Sequence, residues 1–152
     1  MKLSAGLLVY KYHGDELQVL LVHPGGPFWV NKDSGAWSIP KGEYLENEDP
    51  LSVAYREFRE ETGQSAPKSE PTELGTIKQP SGKRITAWAV EGEVDVSNLK
   101  SNLFELEWPP KSKIMQKFPE VDKAEWFSLR TAQQKILSGQ IGFLENLETL
   151  LA

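Results

Sequence analysis

The sequence predicts a single α/β domain, and three observations lead there. At 152 residues the chain has the length of one domain, with enough interior to fold without staples. Two pairs of β-rich runs each flank a glycine-containing turn. Two stretches show helical periodicity, the first bounded by cap residues at both ends. No internal repeat, low-complexity tract or interdomain linker divides residues 1–152.

Leu7 to Tyr10 and Leu17 to Val22 are β-rich and flank a turn at His13-Gly14-Asp15, which reads as a hairpin. An irregular stretch follows, broken by Pro24-Gly25-Gly26-Pro27 and Asp33-Ser34-Gly35. Trp37 to Ile39 reads as a short strand ending at Pro40. The best helix comes next. Asp49 is a natural N-cap, Pro50 suits the first helical position and Gly63 can serve as the residue just past the end. A second hairpin is expected from Glu73 to Lys78 and Arg84 to Glu91, around Pro80-Ser81-Gly82. Residues 93–120 read as loop-rich. Lys123 to Phe127 reads as another strand. From Thr131 onwards the chain is expected to be helical, with a break at Gly139 and a core-facing stripe of Leu144, Leu147 and Leu151.

Composition narrows the function. The hydrophobic fraction of 39% and charged fraction of 26% are those of a globular domain. There is no cysteine, which excludes disulfides, thiolate metal sites and a cysteine nucleophile. Only His13 and His23 are present, too few for a histidine-rich zinc site. Seventeen basic against twenty-two acidic residues give a net charge of −5, which argues against a global grip on duplex nucleic acid or anionic membrane. The first apolar run stops at Lys11, too short for a secretory segment, and no stretch approaches the roughly twenty apolar residues of a membrane span. A cytoplasmic setting is the expectation.

The informative region runs from Lys41 to Gly63. At about 100° per residue, Leu51, Ala54, Tyr55 and Phe58 share one arc, expected to face the core. Glu57, Glu60 and Glu61 share another, at i, i+3 and i+4. Like charges at these spacings repel by about 0.2–0.5 kcal/mol per pair. Acids in the last turn also oppose the helix dipole, at about 0.3–1 kcal/mol each. The plain alternative is a solvated acidic face partly neutralised by Arg56 and Arg59. A local rule broken without compensation points instead to a site. A divalent cation would turn the repulsion into attraction, and all-carboxylate ligation selects a hard ion such as Mg²⁺ or Mn²⁺.

Gly42, Glu48, Arg56, Glu57, Phe58, Glu60, Glu61 and Gly63 stand at the spacing of the Nudix box, and the chain resembles the Nudix hydrolase family. Seven invariant-type positions match. At roughly 5–7% usage per residue type, chance gives this on the order of once in 10⁸ starting positions, so coincidence is a poor account. Gln64 departs from the pattern, standing where the family prefers an apolar residue. Outside the box, Trp37-Ser38-Ile39-Pro40-Lys41-Gly42 resembles the strand and turn that lead into it in many members. Pro119-Glu120-Val121-Asp122, followed by Glu125-Trp126-Phe127, resembles the later loop and strand that often supply another acidic ligand. Residues Gly25 to Glu43 look most like a bacterial subgroup described as nucleoside triphosphate pyrophosphohydrolases. The resemblance implies an α/β/α sandwich with a mixed β-sheet between helices.

It also implies a chemistry: attack of water on phosphorus in a pyrophosphate chain, with metal ions neutralising charge and orienting the water. Carried over by position, Glu57, Glu60 and Glu61 would ligate Mg²⁺ (or Mn²⁺), with the Lys41 carbonyl and Glu120 completing the set. Arg56 would orient Glu57 through a charge-assisted hydrogen bond, and Glu48 would hold the loop or pair with a neighbour. Glu57 and Glu120 are both candidates for the general base, with Glu105 and Glu107 competing acids in the unassigned region. Lys41, Lys83 and Arg84 are candidate phosphate ligands. So are Lys111 and Lys113, which with Lys117 form an acid-free run. Phe28, Trp29 and Trp108 are candidates to stack on a base or simply to pack; Trp37 is assigned to the core and His23 to a structural role.

The expected substrate is a dinucleoside polyphosphate or a nucleoside triphosphate. The Trp-x-x-Pro-Lys-Gly segment resembles dinucleoside tetraphosphate hydrolases. An RNA 5′ pyrophosphohydrolase is the first alternative, supported by the Glu120 loop and opposed by a pI near 5.1. A non-catalytic nucleotide-sensing Nudix domain is the second. Such domains usually lose box acids, and every one is retained here.

Overall fold

The protein is described by a computed structural model covering residues 2–152. Strands β1 (Leu3–His13) and β2 (Glu16–Pro24) form the first hairpin, closed by a tight turn with Gly14 in the left-handed region at φ 62°. Strand β3 (Lys41–Tyr44) pairs antiparallel with the first residues of β1, Leu3 to Gly6. That pairing explains why β1 begins earlier than its apolar run suggests. The expected strand at Trp37–Ile39 is only a pair of isolated bridges, Ser38 to Val22 and Trp37 to Ile136. The true strand follows Pro40, where β1 offers a free edge.

Helix α1 (Pro50–Thr62) has the expected caps. Asp49 accepts from the Ser52 amide at 3.1 Å, and Gly63 sits at φ 75° with its amide on the Arg59 carbonyl. Strands β4 (Thr72–Lys78) and β5 (Arg84–Glu91) form the second hairpin. The stretch expected to be loop-rich holds a separate two-stranded ribbon, β6 (Leu103–Glu107) with β7 (Met115–Pro119). Strand β8 (Val121–Ser128) leads into α2 (Leu129–Lys135), which begins slightly earlier than expected because Ser128 caps it. A 3-10 turn at Ser138–Gln140 marks the break at Gly139, and α3 (Ile141–Leu151) ends the chain.

The main sheet runs β4-β5-β1-β2-β8, with β3 pairing the start of β1 on the same edge as β2, opposite β5. It is mixed: β1 and β5 are parallel and the remaining pairs antiparallel. Alternation along the strands divides the interior in two. Ala5, Leu7, Val9, Leu20 and Val22 pack with Val53, Ala54 and Phe58 of α1. Leu8, Val19, Leu21 and Ile85 pack with Phe143, Leu144 and Leu147 of α3. The result is the expected α/β/α sandwich. The core arc of α1 centres on Val53, Ala54 and Phe58; Leu51 and Tyr55 are only half-buried. Phe58 is fully enclosed, so truncating it to alanine would cost about 3–5 kcal/mol.

Trp37 is buried, its ring edge-on to His23 and Phe127, and its indole N–H donates to Asp33 at 2.8 Å. His23 is buried too, with Nδ1 2.8 Å from Asp122 and Nε2 2.7 Å from the Lys32 carbonyl. Both therefore have the structural roles expected. Gln64, the departure from the box pattern, donates to the Asp95 and Asn98 carbonyls and so pins the turn that follows β5.

Candidate active site

The last turns of α1 carry Glu57, Glu60 and Glu61 to the C-terminal end of the helix, where two backbone carbonyls have no helical partner. The Lys100 amide bonds the Thr62 carbonyl at 3.0 Å and the Asn102 amide bonds the Glu60 carbonyl at 2.9 Å. The Asn102 carbonyl in turn accepts from the Glu120 amide at 2.8 Å. Residues 100–102 thus tie the end of the helix to Glu120, sixty residues after Glu60 in sequence.

The acids feel one another. Burial pushes the Glu61 carboxyl up to about 8; Lys41 opposes this through its ammonium and backbone amide, while Glu57 and Glu120 add to it. Burial also raises Glu57, helped by Glu60 and Glu120 and opposed by Arg56. Glu120 is raised by burial and by Glu60. Four carboxylates therefore converge electrostatically, three from the helix and one from the β7–β8 junction.

Gly42 makes the arrangement possible. A Cβ there would lie 2.1 Å from the Glu57 carboxyl carbon and 2.4 Å from each of its oxygens. The Glu57 carboxylate rests directly on the β3 backbone, in space that only glycine leaves open. Arg56 lies 3.1 Å from Glu48 and 3.8 Å from Glu57. Its hydrogen bond is thus to Glu48, which also accepts from the Leu45 amide at 2.9 Å. Arg56 was expected to hydrogen-bond Glu57; at 3.8 Å it acts on that residue by charge alone. Glu48 performs both of its expected tasks.

The donor chemistry suits a hard divalent ion, being all oxygen, anionic and uncompensated by nearby cations other than Lys41 and Arg56. Among the described residues no three acidic or histidine side chains lie together as a ready ligand set. Rotation about the glutamate side-chain bonds is needed before three of them meet one ion.

Lys41 joins two regions of opposite character. On one side is a cleft of about 230 Å³ whose lining includes Lys41, Glu61, Glu120 and Trp29. On the other is a broad basin of about 700 Å³ lined by Lys2, Lys78, Lys83 and Arg84, with Glu43 as its acid. Burial lowers the Lys83 pKa, and the Lys41 and Lys2 charges lower it further against the pull of Glu43. The crowding of cations beside Lys41 is what a polyanion would relieve. Lys83 and Arg84, both candidate phosphate ligands, line this basin together with Lys2 and Lys78. Lys78 was legible in hindsight, since it faces Arg84 across the hairpin; nothing in the sequence flags Lys2.

Lys111 and Lys113 are not brought to this cleft. They occupy the tip of the β6–β7 ribbon at φ 63° and 62°, a backbone region unfavourable for side-chain-bearing residues. The Glu107 carboxylate accepts from both of their amides at 3.1 Å and holds the tip in shape. Glu107 is thereby occupied as a loop brace, and Glu105 is exposed on β6 opposite Lys117. Of the competing acids, only Glu120 reaches the cleft.

The NUDIX domain profile matches residues 2–147, and the chain belongs to the Nudix hydrolase family. Among solved structures, the NUDIX domain of Shewanella oneidensis NrtR complexed with ADP ribose is 19% identical, covers 99% of this chain and 88% of that one, and superposes with a TM-score of 0.67. A C. elegans Ap4A hydrolase binary complex is 20% identical, covers 99% and 98%, and gives a TM-score of 0.67. The MutT protein from Methanosarcina mazei Go1 is 19% identical, with 99% and 94% covered and a TM-score of 0.62. At these identities the likeness is one of fold. No curated protein matches the chain. Among the described residues no helix is long and apolar enough to cross a membrane.

Proposed function

We propose that this chain is a divalent-cation-dependent pyrophosphohydrolase acting on a nucleoside diphosphate linked to another group, with a dinucleoside polyphosphate or a nucleoside triphosphate as substrate. The observation that carries the reading is the gathering of the α1 carboxylates Glu57, Glu60 and Glu61 at a helix end that backbone bonds through residues 100–102 tie to Glu120, next to a cation-lined basin. Structural neighbours complexed with ADP ribose or named as an Ap4A hydrolase support a nucleotide as the ligand.

Glu57, Glu60, Glu61, Glu120 and the Lys41 carbonyl would hold Mg²⁺ or Mn²⁺, which when bound neutralises phosphate charge and orients the attacking water. Lys41, Lys83 and Arg84, with Lys2 and Lys78, bind the phosphate chain. Glu48 fixes Arg56, and Arg56 steadies Glu57 over Gly42. Glu57 and Glu120 are the candidates to accept the water's proton.

The test is Mg²⁺-dependent product release from a panel of nucleoside triphosphates, dinucleoside polyphosphates and ADP-ribose, with Glu60→Gln and Glu61→Gln as controls. Turnover that both substitutions abolish in folded protein supports the enzyme. Tight nucleotide binding without turnover of any panel member would instead mark a sensor domain.

A further inference from the structure

Three aromatic residues were open as base-stacking candidates, and the structure separates them. Phe28 and Trp108 pack edge-on against each other with ring centres 5.2 Å apart, which fastens the loop after β2 to the β6–β7 ribbon. Trp29 is spent on no such contact. It lines the 230 Å³ cleft with Glu61, Glu120 and Lys41, beside the apolar Pro24 and Leu137, and 37% of it remains exposed.

The loop that carries Trp29 is held firmly. The Lys32 carbonyl is bonded to buried His23, Asp33 accepts from the Trp37 indole, and the Lys32 amide donates to the Trp29 carbonyl at 2.9 Å. The Gly25 amide donates to the Glu120 carbonyl at 2.9 Å, and a Cβ on Gly25 would collide with the Pro119 carbonyl oxygen at 2.0 Å. The segment bearing Trp29 is thus braced against the segment bearing Glu120. The indole thus keeps more than a third of its surface in contact with water although its loop is braced. Lys32 Nζ stands over the ring, 5.8 Å from its centre.

We propose that Trp29 is the stacking platform for the nucleobase of the substrate, so that the base lies in the Trp29 cleft and the phosphates extend past Glu61 toward Lys41 and the basic basin. The inference rests on the nucleotide reading above and adds to it a direction and a residue that sets preference for an aromatic base. The cleft is small and half apolar, which fits a planar ring. The basin beyond Lys41 is larger and cationic, which fits the polyphosphate. Glu61 and Glu120 line the cleft together with Lys41.

The experiment measures binding, so it is independent of turnover. Calorimetry in Mg²⁺ compares α,β-methylene-ATP, which has a base, with inorganic tripolyphosphate, which has none. Trp29→Phe keeps a flat ring; Trp29→Leu keeps apolar cover without one. Thermal melts confirm that both fold. Stacking predicts that Trp29→Leu weakens α,β-methylene-ATP binding at least about fivefold, the lower limit for losing one base–aromatic stack. Trp29→Phe retains most of the affinity, and tripolyphosphate binding is unchanged in both. Equal nucleotide affinity in Trp29→Leu and wild type overturns the proposal, as does parallel loss for both probes or a wild type that binds no nucleotide. A wild type that binds the nucleotide through Trp29 yet hydrolyses no panel member sinks the enzymatic reading and leaves the stacking intact.

Discussion

Replacing Glu61 by glutamine should stabilise the cation-free protein, by an amount that grows with pH. The Glu61 carboxyl titrates at about 8 in the folded chain against an ordinary 4.5. Below 4.5 it is protonated in both the folded and unfolded states and imposes no penalty. As pH rises, the unfolded chain ionises first, and folding stability falls by about 1.4 kcal/mol per pH unit until the folded carboxyl also ionises. The loss levels off above about 8, at a total on the order of 5 kcal/mol. Glutamine keeps the shape and removes the ionisation. Urea unfolding of both proteins in chelator, from pH about 5 to about 9, reads the effect directly. The wild-type-minus-variant difference cancels the other titrating groups to first order. It should be below about 1 kcal/mol at the acid end and favour the variant by several kcal/mol at the alkaline end, on the order of the shift itself. Mg²⁺ should then restore the wild type, by about 2.7 kcal/mol at a hundredfold excess over its Kd, and leave the variant little changed. A difference that is flat with pH, or a wild type more stable than the variant at the alkaline end, would refute the account of Glu61 as a buried acid waiting for a cation.

Three further outcomes follow from the same geometry. Gly42→Ala places a methyl where the Glu57 carboxylate lies; steady-state kinetics should show kcat reduced about 100-fold, the scale of a misplacement of about 1 Å, while circular dichroism keeps the native spectrum. Glu120→Gln should lower kcat and alter its pH profile, whereas Glu105→Gln, on the exposed face of the ribbon, should leave both as they are; the reverse pattern would move the fourth acid elsewhere. His23→Ala removes partners from Asp122 and the Lys32 carbonyl within a buried setting. Urea denaturation should report a loss of about 2–4 kcal/mol, and limited proteolysis should open the chain between residues 24 and 36.

The parts of the fold that were legible along the chain are those made by neighbours in sequence. Helix α1 is an example: Asp49, Pro50 and Gly63 act within a few residues of the bonds they complete, so the helix starts and stops where they stand. The β4–β5 hairpin is another, since a glycine turn joins two alternating runs that pair directly, with one register shift between Glu73 and Gly75. The β6–β7 ribbon was not legible, because its turn is shaped by Glu107 reaching two amides in the left-handed region, which no turn composition announces. Strand β3 was misplaced for a related reason. Its four residues carry no alternation of their own and become a strand only because β1 presents an unpaired edge.

For the candidate site the division is the same. Three carboxylates at a spacing unfavourable for like charges and the match to the Nudix box were present in the linear chain, the first because helix periodicity alone sets the three on a common side. Distance in space decided the rest. Glu120 was preferred over Glu105 and Glu107 because backbone bonds through Asn102 tie it to the end of α1. Lys2 and Lys78 came to stand with Lys83 because strand pairing gathers distant charges at one sheet end. Trp29 was parted from Phe28 and Trp108 because a braced loop turns one indole toward the acids and packs the other rings together. Local bonds are written in residue order; which remote groups share a cleft is decided only when the sheet closes and burial selects one packing from many.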